Sequence, residues 1–215
     1  APAPGWDARY DWAGWLPFEA LPQQRDPQRG YIATANQRIV ASDYPHFLTS
    51  SWALPFRQQR IEQMLDAKPR HSLADLQTQH ADVRSLGAGP TLAWLLRARS
   101  DHPLAAAASK QLQGFDGAMA ADRAAPLIYW AWLRRLTMGL LSDELGPLFE
   151  RTFGGRSYFE AVDAILARND AWWCDDKRTP AVESCAQQAD AALRAALDEL
   201  QAAQGPDPSA WRWGR

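Results

Sequence analysis

The stretch Ala124–Phe149, AAPLIYWAWLRRLTMGLLSDELGPLF, decides how the rest of the chain is read. Leu127, Ile128, Trp130, Trp132, Leu133, Leu136, Met138, Leu140 and Leu141 make it apolar on nearly every side. A helix of that kind has no face suited to water and belongs at the centre of a bundle. Its aromatic residues are therefore expected in a core rather than in a ligand site. The fold class that follows is mainly α, a helical bundle built around this element.

Partner helices are legible on both sides. Phe56, Arg60, Ile61, Met64 and Leu65 recur at helical spacing until Pro69. Ser72 with Asp75 three residues on makes a capping-box pattern. Leu73, Leu76 and Val83 are expected to give that second helix its buried face. Gly87-Ala88-Gly89-Pro90 reads as a break, with helices expected after it at about Thr91–Arg99 and Pro103–Gln113. Beyond the central element, one helix is expected from about Ser157 to Asn169. A last, Ala-rich one is expected from about Pro180 to Gln204, with Leu193, Leu197 and Leu200 on one side.

The two ends read differently. Pro17, Pro22 and Pro27 rule out a long helix near the start, and Trp6, Trp12 and Trp15 punctuate an extended, turn-rich segment. Tyr31–Ala35 and Ile39–Val40 read as strand, with few partner strands in the chain. The tail Trp211-Arg212-Trp213-Gly214-Arg215 alternates bulky and charged residues as a strand does. The expected organisation is an extended segment over 1–50, a helical domain over 51–205 and a strand-like tail over 206–215. Both ends look as if they pair with chain outside the sequence. The opening Ala1-Pro2-Ala3-Pro4, without an initiator Met or a signal-peptide pattern, suggests a mature, processed or excised piece.

Composition excludes several functions. The 215 residues are 47% hydrophobic, enough for a sizeable core. Most of the 11 Trp are expected to be buried or half-buried. A net charge of −2, with no basic stripe, gives no electrostatic support for nucleic-acid binding. No apolar run approaches the ~20 residues that span a bilayer.

Candidate chemistry is sparse. His46, His71, His80 and His102 lack metal-ligand spacing and read as surface or capping residues. There is no Gly-rich phosphate loop and no Gly-x-Ser-x-Gly elbow. Cys174 and Cys185 are too few for a zinc site with no His close by. A disulfide closing a small loop is the better reading, the alternative being two free buried thiols. A disulfide places the protein in the periplasm or outside the cell. The acidic neighbours Asp175 and Asp176 make Cys174 a poor nucleophile. Asp43, before Tyr44-Pro45, is one carboxylate in a loop, and one carboxylate does not make a calcium site. Arg57 starts the first helix, as a solvated residue or as the lining of a pocket. Asn36 closes Gly30-Tyr31-Ile32-Ala33-Thr34-Ala35 and is followed by Gln37 and Arg38. It is either a turn residue or a fixed donor aimed at a developing oxyanion.

The order of motifs adds a resemblance. Trp12-Ala13-Gly14-Trp15-Leu16-Pro17-Phe18-Glu19, Asp26 to Asn36, Ser42-Asp43-Tyr44-Pro45, Arg57 to Leu65, the loop from Trp173 to Cys185 and the closing Trp211–Arg215 together resemble the penicillin acylase family from end to end of the chain. Members are N-terminal-nucleophile hydrolases, cut from one precursor into α and β subunits. The new N-terminal Ser of β attacks an acyl amide with its own α-amine as base. The resemblance implies that this chain is an interior portion of the β subunit. The nucleophile, the α subunit and most of an αββα sandwich would then lie outside it. It places the family's oxyanion-hole carboxamide on Asn36, its active-site Arg on Arg57 and a structural calcium ligand near Asp43. The implied substrate is a small N-acyl compound, and the chain alone is expected to be inactive. A secreted, non-enzymatic helical binding module, docking through its Trp-rich start, is the alternative.

Overall fold

A computed structural model of the chain describes residues 3–153 and 158–215. The chain divides into two compact units, Ala1–Glu62 and Gln63–Arg215. The architecture is mainly α, as the central apolar stretch requires. Among the described residues there is no sheet, only two isolated bridges, Gln37 with Ala53 and Arg84 with Ala118.

In the first unit the backbone runs through turns and single 3-10 turns at Ala8–Tyr10 and Phe18–Ala20. The first α-helix, α1 (Phe56–Asp66), begins here and ends in the second unit. Within the unit, Arg29 pairs with Glu62, to which Gln58 also donates at 2.8 Å. Arg29 also lies over the Tyr31 ring, and Tyr44 Oη donates to Ala20 O at 2.6 Å. One expectation changes here. Residues 31–35, read as a strand, have no ladder partner among the described residues, and a strand needs a neighbour to become one. Most of the 11 Trp are buried or half-buried, as expected, while Trp6, Trp12 and Trp15 are 90%, 95% and 97% exposed.

The second unit is the bundle. Its helices are α2 (Leu73–His80), α3 (Ala88–Arg97), α4 (Ala105–Gln111), α5 (Ala125–Leu145), α6 (Pro147–Thr152), α7 (Phe159–Arg168), α8 (Ala171–Cys174) and α9 (Cys185–Gln204). The expected start of α7 at Ser157 lies outside the described residues. At the centre α5 packs along α9. Ile128, Tyr129, Trp132, Leu136 and Leu140 meet no water, nor do Ala196 and Leu197 of α9. Trp132 Nε1 donates across to Ala189 O at 3.1 Å, and Tyr129 Oη shares a 2.7 Å hydrogen bond with Thr91 of α3. Burial of the Tyr129 hydroxyl pushes its pKa up to about 12. Small residues let the two long helices close: a Cβ at Gly139 would stand 2.6 Å from Gln188 Oε1.

The helix ends carry the instructive differences. The long apolar run stops at Leu145 because Gly146 turns away at φ +48° and Pro147 begins α6. A residue before proline is steered out of the helical region, so one long helix becomes two. In the other direction, α3 starts before Pro90, which sits in its first turn where its missing N–H costs nothing. The capping box predicted at Ser72 and Asp75 is present, and a second one, Ser184 with Gln187, opens α9. The expected start of α9 at Pro180 therefore moves to Cys185. The apolar side chains assigned to the buried face of α2 are exposed, at 73% for Leu73 and 51% for Val83.

The tail is not a strand. A 3-10 turn at Pro208–Ala210 leads into Trp211, which is fully buried and donates from Nε1 to Gly205 O at 2.9 Å. Trp213 N and Gly214 N donate to Arg123 O and Ala121 O, and the Trp213 ring stacks on Trp130. Trp211 is thus a core residue of the bundle rather than one face of a sheet.

Candidate functional site

The site is built on the turn at Asn36 and the first turn of α1. Asn36 has φ +65°, the left-handed region that Asn tolerates better than most residues. Ala35 and Gln37 on either side are buried, while Asn36 is exposed. Four hydrogen bonds hold this arrangement. Gln37 Oε1 accepts the Ala35 N–H at 2.8 Å. Ala53 N–H donates to Asn36 O at 2.8 Å. Arg57 Nη2 donates to Ala35 O and to Asn36 Oδ1, each at 2.8 Å.

The last contact settles which way the carboxamide faces. A guanidinium has donors only, so the atom turned to Arg57 must be the oxygen. The Asn36 N–H donors therefore point away from Arg57. Among the described residues Nδ2 has no hydrogen-bond partner. The arrangement offers an exposed neutral donor of fixed direction, on a backbone held from both sides, with a cation behind it. Such a group suits stabilising negative charge that develops on an oxygen.

Of the residues singled out in the sequence, Asn36 and Arg57 come together, although 21 positions apart in the chain. Arg38 does not join them. Its guanidinium bonds Val40 O and Ala41 O and closes the next turn. Asp43 is exposed, and among the described residues no group of three or more His, Cys, Asp or Glu could hold a metal ion. Calcium takes six to eight oxygen ligands, so these residues alone do not fit it. The histidines act structurally where they bond: His71 meets Leu65 O and Gln79, and buried His102 accepts the Leu104 N–H on Nδ1 just before α4. Cys174 and Cys185 are joined in a buried disulfide, with Cα atoms 4.8 Å apart.

Two features escaped the sequence reading. Gln37 passed as a polar turn residue, and only the fold reveals its buried bond. At the end of α5, Asp143 Oδ1 and both Glu144 carboxylate oxygens are buried and have no hydrogen-bond partner among the described residues. Burial, with the Asp143 carboxyl beside it, raises the Glu144 pKa to about 7. Asp143 stays low despite its own burial, helped by Glu144 and by the Lys177 amide, which donates to it at 2.7 Å.

Comparison with known proteins gives a consistent result. Residues 1–215 match the family model described as penicillin amidase. The acyl-homoserine lactone acylase QuiP of Pseudomonas aeruginosa is 32% identical over 235 aligned residues, covering 100% of this chain and 28% of that protein. Penicillin acylase 2 proenzyme of a Pseudomonas species is 39% identical over 63% of the chain, and penicillin G acylase of Escherichia coli is 39% identical over 32% of it. The chain spans under a third of the length of the curated relatives it matches.

Proposed function

Because the chain belongs to the penicillin amidase family, we propose that it is part of a hydrolase of N-acyl amide bonds. In this reading Asn36 stabilises the oxyanion and Arg57 holds Asn36 in place. One observation carries it: the 2.8 Å bond from Arg57 Nη2 to Asn36 Oδ1, which turns the Asn36 N–H donors outward. Attack on an acyl amide converts the carbonyl oxygen into an oxyanion, and a donor already aimed at that oxygen lowers the barrier without reorganising. Arg57 adds no donor of its own to this step. It fixes the carboxamide and the Ala35 carbonyl behind it.

The nucleophile is a Ser with a free α-amine as its base, in the larger part of the protein that this chain does not span. The partners are the α subunit and the rest of the β subunit, which complete an αββα sandwich. Exposed Trp6, Trp12 and Trp15 support this, since large apolar side chains left in solvent suit a surface that another chain covers. The substrate class is a small N-acyl compound. Relatives named for acyl-homoserine lactones and for penicillin both support it. A calcium ion near Asp43 needs its other ligands from outside these residues, and no step depends on it. The disulfide supports an oxidising compartment, the periplasm or the exterior.

The test uses the full-length processed protein with penicillin G and an N-acyl-homoserine lactone. Asn36→Asp keeps size and turn preference but removes the donor. It is expected to lower kcat on whichever substrate is turned over by about 10²–10³-fold, with self-cleavage retained. Wild-type turnover by Asn36→Asp sinks the assignment.

A further inference from the structure

We infer that Gln37 is a positioning residue of this site, acting through Asn36; the inference rests on the oxyanion reading above. Its side chain is 7% exposed, yet it ends in a carboxamide. Burying such a group is unfavourable unless it is hydrogen-bonded. The bond it makes is local and directed: Oε1 reaches back past Asn36 to the Ala35 N–H at 2.8 Å. That closes a ring of chain with Asn36 at its apex.

The ring completes a set. Gln37 ties Ala35 on its N–H side, and Arg57 ties it on its carbonyl side. Ala53 ties the carbonyl of Asn36 itself. The peptide units flanking Asn36 are thereby fixed while the residue stays at φ +65°. A left-handed non-glycine residue persists when its surroundings over-determine it. Gln37 supplies the one side-chain bond of the set that comes from the turn itself. Without it the Ala35 N–H is orphaned and the turn is free to relax towards an ordinary extended form. Asn36 Nδ2 would then swing away from the line set by Arg57. Displacements near 1 Å at a catalytic group cost up to about 100-fold in rate.

The test compares Gln37→Met, which keeps volume and loses the acceptor, with Gln37→Glu, which keeps an oxygen at the same reach. Both are made in the full-length processed protein, alone and combined with Asn36→Asp. Penicillin G and an N-acyl-homoserine lactone are the probes. Gln37→Met is expected to lower kcat about 10- to 100-fold with KM within about threefold of wild type, and Gln37→Glu to recover most of the loss. In the Asn36→Asp background Gln37→Met is expected to cause no further loss, because there is no donor left to misplace. An equal loss in both backgrounds marks a general structural role and overturns the inference. So does wild-type kcat for Gln37→Met. If that occurs while Asn36→Asp is inactive, the oxyanion reading stands and only Gln37 is dismissed. If Asn36→Asp is itself fully active, both fall together. Should Gln37→Met fail to fold, Gln37→Asn, one methylene short, replaces it: a lowered kcat at unchanged Tm supports the inference, and an unchanged kcat overturns it.

Discussion

At the scale of single residues, the proposed site depends on directions more than on residue types. One Nη2 of Arg57 serves two acceptors, Ala35 O and Asn36 Oδ1. A lysine carries the charge but not the rigid, planar NH2 group that aims two N–H bonds at once. Arg57→Lys in the full-length protein is therefore expected to lower kcat by about 10-fold or more, without abolishing substrate binding. KM rising while kcat holds would instead place Arg57 in contact with substrate. Asn36 and Arg57 were singled out through the motif order around them, and the fold brings them together. Gln37 was not, because nothing in a one-dimensional reading distinguishes a buried glutamine bonded to its own turn from a solvated one. Glu144 was hidden for a similar reason. Its raised pKa comes from burial beside Asp143, which only the fold creates. Between the ordinary value of 4.5 and about 7, the folded state binds a proton that the unfolded state has released. Stability contributed by the protonated form is thus full below 4.5 and is lost as pH rises through 7. Glu144→Gln, which cannot ionise, should raise the melting temperature at pH 8 relative to wild type and leave little difference at pH 4. The reverse order would show that Glu144 is ionised and satisfied.

At the scale of elements, the strongest patterns survived and the boundaries moved. The apolar run of α5 announced a buried helix, and the Ser72 box was present in side-chain detail. The run stops at Gly146-Pro147 because local backbone chemistry outweighs hydrophobic pattern there. The tail misled because alternation of bulky and charged residues marks a strand only when a ladder exists. Here Trp211 turns into the helical core instead. The start of α9 is secured twice, by the Ser184 cap and by the disulfide to Cys174. Ser184→Ala is expected to cost about 1 kcal/mol in thermal or denaturant unfolding. Replacing both cysteines by Ala is expected to cost roughly 2–3 kcal/mol, from freeing the short loop in the unfolded chain. A double variant as stable as wild type would mean that the loop is held by its ion pairs, Asp175 with Lys177 and Asp176 with Arg178.

At the scale of the whole molecule, the chain combines a helical bundle with its own core and a first unit that has none of comparable size. Composition and periodicity alone reached a helical domain; the ordered motifs supplied the family. What stayed illegible follows from length. The chain spans under a third of the length of its relatives, and Trp6, Trp12 and Trp15 stand exposed in it. The proposal places the nucleophile in the part not spanned. The 215-residue segment on its own is accordingly expected to hydrolyse neither penicillin G nor an N-acyl-homoserine lactone. The most direct measurement is kcat for Asn36→Gly in the full-length processed protein. Glycine keeps the left-handed turn without strain and removes the carboxamide, both its donor and the Oδ1 that accepts from Arg57. The account predicts a kcat lowered by about 10²–10³-fold at an unchanged melting temperature. A kcat within twofold of wild type would contradict it.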